Sequence, residues 1–164
     1  MLNPFTIAER LITLWQDIPD LVEACGDDAE KIFLYRDSTP GNMNLFSALL
    51  EQPDGSVMLS FDGVGPGRQG TSLVWGFTFT AHLKPLAESG AEPDGLVTMI
   101  DALVNGVSED TGRKWRDDDL VAGAYLTGVP SFNRRQFVVG SDTGSYRTVD
   151  YWAGTFVVNQ VGDD

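Results

Sequence analysis

The sequence predicts an α+β domain, with helices packed on a mainly antiparallel sheet. Three observations predict it. The chain opens on an amphipathic helical period. Two alternating strand patterns joined by a glycine-rich stretch form a long hairpin near its middle. A second helix and three strand-like runs separated by turn residues then close it. Strands and helices do not alternate as βαβ units. At 164 residues, 42% hydrophobic and 21% charged, the composition is that of one globular domain spanning 1–164. Such a length buries roughly 70% of the unfolded surface.

Each element has a local cause. Over residues 3–24, Ile7, Leu11, Leu14, Trp15, Ile18 and Leu21 recur at helical spacing. Asn3 before Pro4 is a start signal, and Thr6 with Glu9 offers a capping box one turn later. Pro19 is expected to kink or split this helix, because it removes a donor and crowds the preceding turn; Gly26 is its expected stop. Lys31–Tyr35 is a short strand, Ser38–Gly41 a loop, and Asn42–Glu51 a short helix followed by the turn Pro53-Asp54-Gly55.

In the hairpin, Val57, Leu59 and Phe61 alternate with Met58, Ser60 and Asp62. Gly63–Thr71 is expected as its loop. The return run places Leu73, Trp75, Phe77 and Phe79 on one face and Val74, Gly76, Thr78 and Thr80 on the other. Asp94 is expected to cap a second helix over Gly95–Val107, followed by a mixed-charge loop, Ser108–Asp119. Strands are expected near 121–129, 132–139 and 145–158, with one or two helices covering one face of the sheet.

Charge excludes some functions. Asp and Glu number 24 against 11 Lys and Arg, a net charge of −13. Sequence-independent nucleic-acid binding needs the opposite balance, and anionic membranes are disfavoured for the same reason. Such a surface serves solubility, or lets a protein stay beside nucleic acid without sticking to it. Cys25, the single cysteine, permits no intrachain disulfide and is expected to be buried among Leu21, Val22 and Ala24. No export signal or run of about 18 apolar residues is seen, so residence in a cytoplasm, or in a particle assembled there, is expected.

Apparent catalytic motifs fail on context. Gly65-Pro66-Gly67-Arg68-Gln69-Gly70 matches G-x-G-x-x-G in form, but a strand follows where a dinucleotide site needs a helix. It reads instead as a hairpin tip of the kind a subunit inserts between neighbours, with Arg68 as anchor. Asp142-Thr143-Gly144 has the aspartic-protease signature but lacks its apolar flank, and it reads as a turn. His82, the only histidine, excludes the usual zinc clusters and is expected as a satisfied or exposed strand residue. Asp117–Asp119 lacks calcium-loop spacing and follows Arg113, Lys114 and Arg116, as a solvated or docking loop would; Arg134-Arg135 is a second basic spot. Accordingly, no catalytic residue, cofactor or metal is expected. The candidate interface comprises Gly65, Gly67, Arg68, Gln69, Arg113, Lys114, Arg116, Arg134 and Arg135.

Four features in order resemble the tail terminator family of long-tailed bacteriophages. They are the amphipathic helix 4–24, the segment NLFSALLEQPDGSVMLSFDGVGPGR (44–68), the strand LVWGFTFTAHLKP (73–85) leading to a helix at 95–107, and the aromatic ending GSDTGSYRTVDYWAGTFVVNQV (140–161). The resemblance is one of pattern and order, without a diagnostic motif. It implies a non-enzymatic virion protein of the tail or neck, assembled in the host cytoplasm. Such a protein forms a homo-oligomeric ring, a hexamer in that family. The ring caps the tail tube protein and meets the head–tail connector protein, while DNA passes its bore without specific binding. By position, the 63–71 tip and the 108–119 loop would make these contacts, and several acids would line the lumen. Two alternatives belong to other classes: an acidic interaction module or DNA-mimic inhibitor, monomeric or dimeric, and an enzyme with converging carboxylates.

Overall fold

A computed structural model describes residues 3–36, 45–86, 93–112, 124–127, 130–140 and 142–161. The N-terminal helical stretch is two helices, α1 (Pro4–Gln16) and α2 (Pro19–Ala24). Asn3 caps α1, its side chain accepting from the Phe5 amide at 2.8 Å; Pro19 opens α2 at its first turn, where no amide donor is required. The expected split at Pro19 is therefore present, and Asn3 supplies the cap in preference to Thr6. A 3-10 turn (Ala29–Lys31) leads to β1 (Ile32–Leu34), then α3 (Leu45–Glu51).

β2 (Ser56–Gln69) and β3 (Ser72–Lys84) form the predicted hairpin, but the expected loop Gly63–Thr71 is a correction. Strand pairing continues through it to Gln69↔Ser72, interrupted by one irregularity between Phe61 and Gly63. Only Gly70 and Thr71 turn the chain. Gly70 has φ +63°, the left-handed first position of a tight type II′ hairpin turn. Counting back from a bonded Gln69↔Ser72 closing pair, Pro66↔Trp75 falls on a non-hydrogen-bonded rung, so the missing proline N–H costs the ladder nothing there. Proline and glycine are tolerated because this half of β2 lies beyond its partner β1.

α4 (Pro93–Asn105), β4 (Ala124–Thr127), β5 (Phe132–Gly140) and β6 (Tyr146–Val161) complete the elements. α4 begins two residues earlier than expected, with Pro93 at its start, so Asp94 lies inside the helix. The sheet order is β1-β2-β3-β6-β4, with β5 also on β6; β1–β2 is parallel and the other pairs are antiparallel. This is the α+β class with a mainly antiparallel sheet.

The predicted face holds for Phe77 and Phe79, which are fully buried, and for Trp75, which packs at the core margin. Leu73, at the tip, lies beyond the core and is exposed, whereas Val74 on the opposite face is buried. α1, α2 and α4 cover one face: Ile7, Leu11, Trp15, Leu21, Met99 and Leu103 pack there with Val57, Leu59, Phe77, Phe79, Phe156 and Val158. Trp15 meets Phe156 edge-on at 6.2 Å, and Phe79 stacks on Phe156 at 5.9 Å. The reverse face carries a helix as well. α3 sits on it through Ala48 and Leu49, against Met58, Phe33, Phe137 and Tyr151. Lys84, buried beneath, donates to the carbonyls of Leu49 at 2.6 Å and Gln52 at 3.1 Å, satisfying the end of α3.

β6 therefore changes its covered face along its length. At its C-terminal half, Gly154, Phe156 and Val158 face the α1–α4 layer; at its N-terminal half, Val149 and Tyr151 face the α3 side. The ring of Phe132 lies over Gly154 where β5 meets β6, and a Cβ there would stand 2.7 Å from it, so this crossing requires glycine.

Candidate functional site

Four places carry polar or charged groups in arrangements worth weighing. The first is the β2–β3 tip. Gly65 and Gly67 are strand residues, with no helix following, which removes the geometry a dinucleotide pyrophosphate needs. Arg68 is exposed beside the turn. Gln69 is held within the chain: the Tyr125 hydroxyl of β4 donates to its side-chain oxygen. Gln69, one of the expected interface residues, thus has a hydrogen-bond partner in its own chain.

The second is the arm formed by β5 and the first half of β6. Pairing of β3 with β6 ends at Leu83↔Trp152, and β6 runs on for Tyr146–Tyr151, about 20 Å at the usual strand rise. Alternation puts Arg134 and Arg135 on opposite faces, so the basic pair seen in sequence is not one patch. Arg134 forms an ion pair with Asp150, Nε donating at 3.0 and 3.1 Å, and this carboxylate holds the guanidinium pKa above its ordinary value. Arg135 stands exposed opposite Tyr151. Burial raises the Tyr151 phenol, with Arg135 opposing the shift. At the arm's end, Asp142–Ser145 is an exposed turn closed by a 3.0 Å contact between the Thr143 and Ser145 hydroxyls, the turn its sequence suggests. Arg113, Lys114 and Arg116, with the loop from 113 to 119, lie outside the described residues.

Sequence reading missed Tyr146 and Val138. Both lie on the arm's Arg134 face, 77% and 62% exposed. Their signal was parity: Tyr146 is in phase with Trp152 and Phe156, so an apolar side chain on the core-facing side of β6 had to be either covered or displayed.

The third place is acidic. No basic residue falls between Asp17 and Glu30, and Asp20, Glu23, Asp27, Asp28 and Glu30 are all exposed. Asp17 joins this run to the segment after α4. It accepts from the Ser108 hydroxyl and from the Asp110 amide at 3.0 Å, and these bonds, the serine's first, lower its pKa. Glu109 and Asp110 thereby stand beside the run.

The fourth is the His82 network. The imidazole is 4% exposed; its Nε2 contacts Ser60 Oγ at 2.9 Å, and Nδ1 has no hydrogen-bond partner among the described residues. Asp62 does not orient the imidazole. It accepts from Ser60 at 3.4 Å and from Thr80, which also meets Thr155 at 3.2 Å. A nucleophilic triad needs the carboxylate on the free imidazole nitrogen and an accessible hydroxyl, whereas Ser60 is buried. Desolvation pushes His82 down to about 4, so it stays neutral at pH 7. The sequence expectation of a satisfied histidine holds for one nitrogen only. Among the described residues, no group of three His, Cys, Asp or Glu side chains converges as a cation cage. Cys25 is buried, as expected, and its thiol is raised to about 12 by desolvation. Comparison with known family models and with characterised proteins finds no match to this chain.

Proposed function

We propose that the chain is a structural, non-enzymatic virion protein of the tail terminator kind, a ring that caps a tail tube and joins it to the head–tail connector. The observation that carries this reading is the order of elements: a split amphipathic helix, a short helix before a long hairpin, a second helix and an aromatic final strand. It is supported by acids that do not converge among the described residues and by two hairpins whose tips point to opposite ends of the sheet, as a subunit contacting partners above and below requires. In this reading copies close head to tail, and part of the acidic surface lines a bore through which phosphates slide without counterion release.

The test is direct. The purified protein is mixed with tail tubes lacking a cap and imaged by negative stain. The expected result is a ring at one tube end and arrested tube growth. Tubes that continue to elongate, with no added density, would reject the reading. A second reading, an acidic module presenting carboxylates to a basic protein, is favoured by the exposed run Asp20–Glu30. It predicts a monomer or dimer and a salt-sensitive complex with a basic partner.

A further inference from the structure

Asn105 closes α4 and Gly106 follows it, the one Asn-Gly step in the sequence. Such a step is chemically labile, because glycine has no side chain to keep its amide nitrogen from the neighbouring carboxamide. The Gly106 nitrogen can bond to Asn105 Cγ as the Cγ–Nδ2 bond breaks, and the amide proton leaves with the side-chain nitrogen as ammonia. Water then opens the cyclic imide at either carbonyl, giving aspartate or isoaspartate. The fold withholds both reactants. Asn105 is exposed, but its Nδ2 donates to Asp101 Oδ1 at 2.8 Å, one turn back along the helix and away from Gly106. The Gly106 amide donates to the Ala102 carbonyl at 2.9 Å. Gly106 is buried so closely that a Cβ would stand 2.3 Å from Ile18 Cγ2. Just beyond, Ser108 is 1% exposed and donates to the Asp17 carboxylate, while the Asp17 carbonyl accepts from the Glu109 amide at 3.2 Å.

We propose that Asn105-Gly106 is a spontaneous deamidation site gated by the seat of α4. While the last turn rests on Ile18 and Asp17, the step is held unreactive; when that turn opens, the imide forms and water completes the conversion. The product does not reseat. Either form sets a second carboxylate one turn from Asp101, at a helix C-terminus where the dipole disfavours anions. The isoaspartate also adds a methylene to the backbone beside Gly106, where Ile18 and the Ala102 carbonyl leave no room. The change is one-way, adds a negative charge to a chain already at −13, and frees the α4 end from Asp17.

The test uses the full chain, held at pH 8 both native and in guanidinium chloride. Peptides covering residue 105 are followed by mass spectrometry, where exchange of the side-chain nitrogen for oxygen gives a mass gain that isomerisation at the Asp-Gly steps does not. In the unfolded chain, conversion at 105 should outrun that at every other asparagine. In the native chain it should be at least about tenfold slower. Equal rates in the two states, or no lead at 105 in the unfolded chain, overturns the inference. Ser108→Ala removes one tie to Asp17 and should speed native conversion severalfold; an unchanged rate overturns the gate. Asp17→Ala unties the same turn from the other side and gives the same reading should the serine variant fail to fold. In the converted native fraction, the amides of Gly106 and Asp110 should exchange hydrogen at least about tenfold faster than in fresh protein. Unchanged exchange there overturns the release of α4.

Discussion

Replacing His82 with glutamine removes the only histidine and leaves every carboxylate in place. In the folded chain its Nδ1 is buried without a hydrogen-bond partner among the described residues, and desolvation holds its pKa at about 4, against 6.5 for the free side chain. The unfolded chain therefore takes up a proton as pH falls through 6.5, while the folded chain declines it until about 4. Stability from this group is complete above pH 6.5, is lost between 6.5 and 4, and changes no further below. The shift corresponds to a loss of about 3.4 kcal/mol at the acid limit and about 2 kcal/mol at pH 5. Urea melts at pH 7 and pH 5 measure it: wild type should lose about 2 kcal/mol more than His82→Gln across that interval, the carboxylate contributions cancelling between the two proteins. Equal losses in both proteins, or an imidazole titration by NMR near 6.5 in the folded state, would refute the reasoning.

Other expectations follow from packing and backbone. Phe79→Ala, at a fully buried ring touching Phe61 and Phe156, should cost about 3–5 kcal/mol in chemical denaturation. Gly70→Ala places a Cβ on a residue with φ +63° and should cost roughly 1–2 kcal/mol by the same assay, with the remaining core unchanged. Cys25, buried and raised to about 12, should resist thiol reagents at pH 8 in the native protein and react at once in denaturant.

What the sequence made legible was local. The Pro19 break, the hairpin strands, α4 and the final strand are written in periodicity and turn chemistry, which act over a few residues. The hairpin tip was misread because proline and glycine weaken strands on average, while the register that renders Pro66 harmless depends on where the turn falls. The parallel β1–β2 pair and the seat of α3 are long-range pairings, which a period does not encode. For the candidate site, Arg134-Arg135 was visible as a basic spot, yet strand alternation separates the two, and Arg134 is already paired with Asp150. Gln69 looked like a free tip residue because its partner Tyr125 lies 56 positions away.

The face change along β6 has a consequence during synthesis. Phe79 stacks on Phe156, and β3 receives its second neighbour only when β6 emerges, about seventy residues later. At ordinary translation speeds of about 5–20 residues per second, the open edge of β3 and its phenylalanines wait roughly 4–15 s for their partner. Throughout that wait the hairpin is a half-finished sheet with a sticky margin, and neither the α1–α4 core nor the α3 core can close. Both then close around the same strand, so the molecule should fold as one late, all-or-none event, and nascent-chain crowding or a delayed β6 should appear first as aggregation.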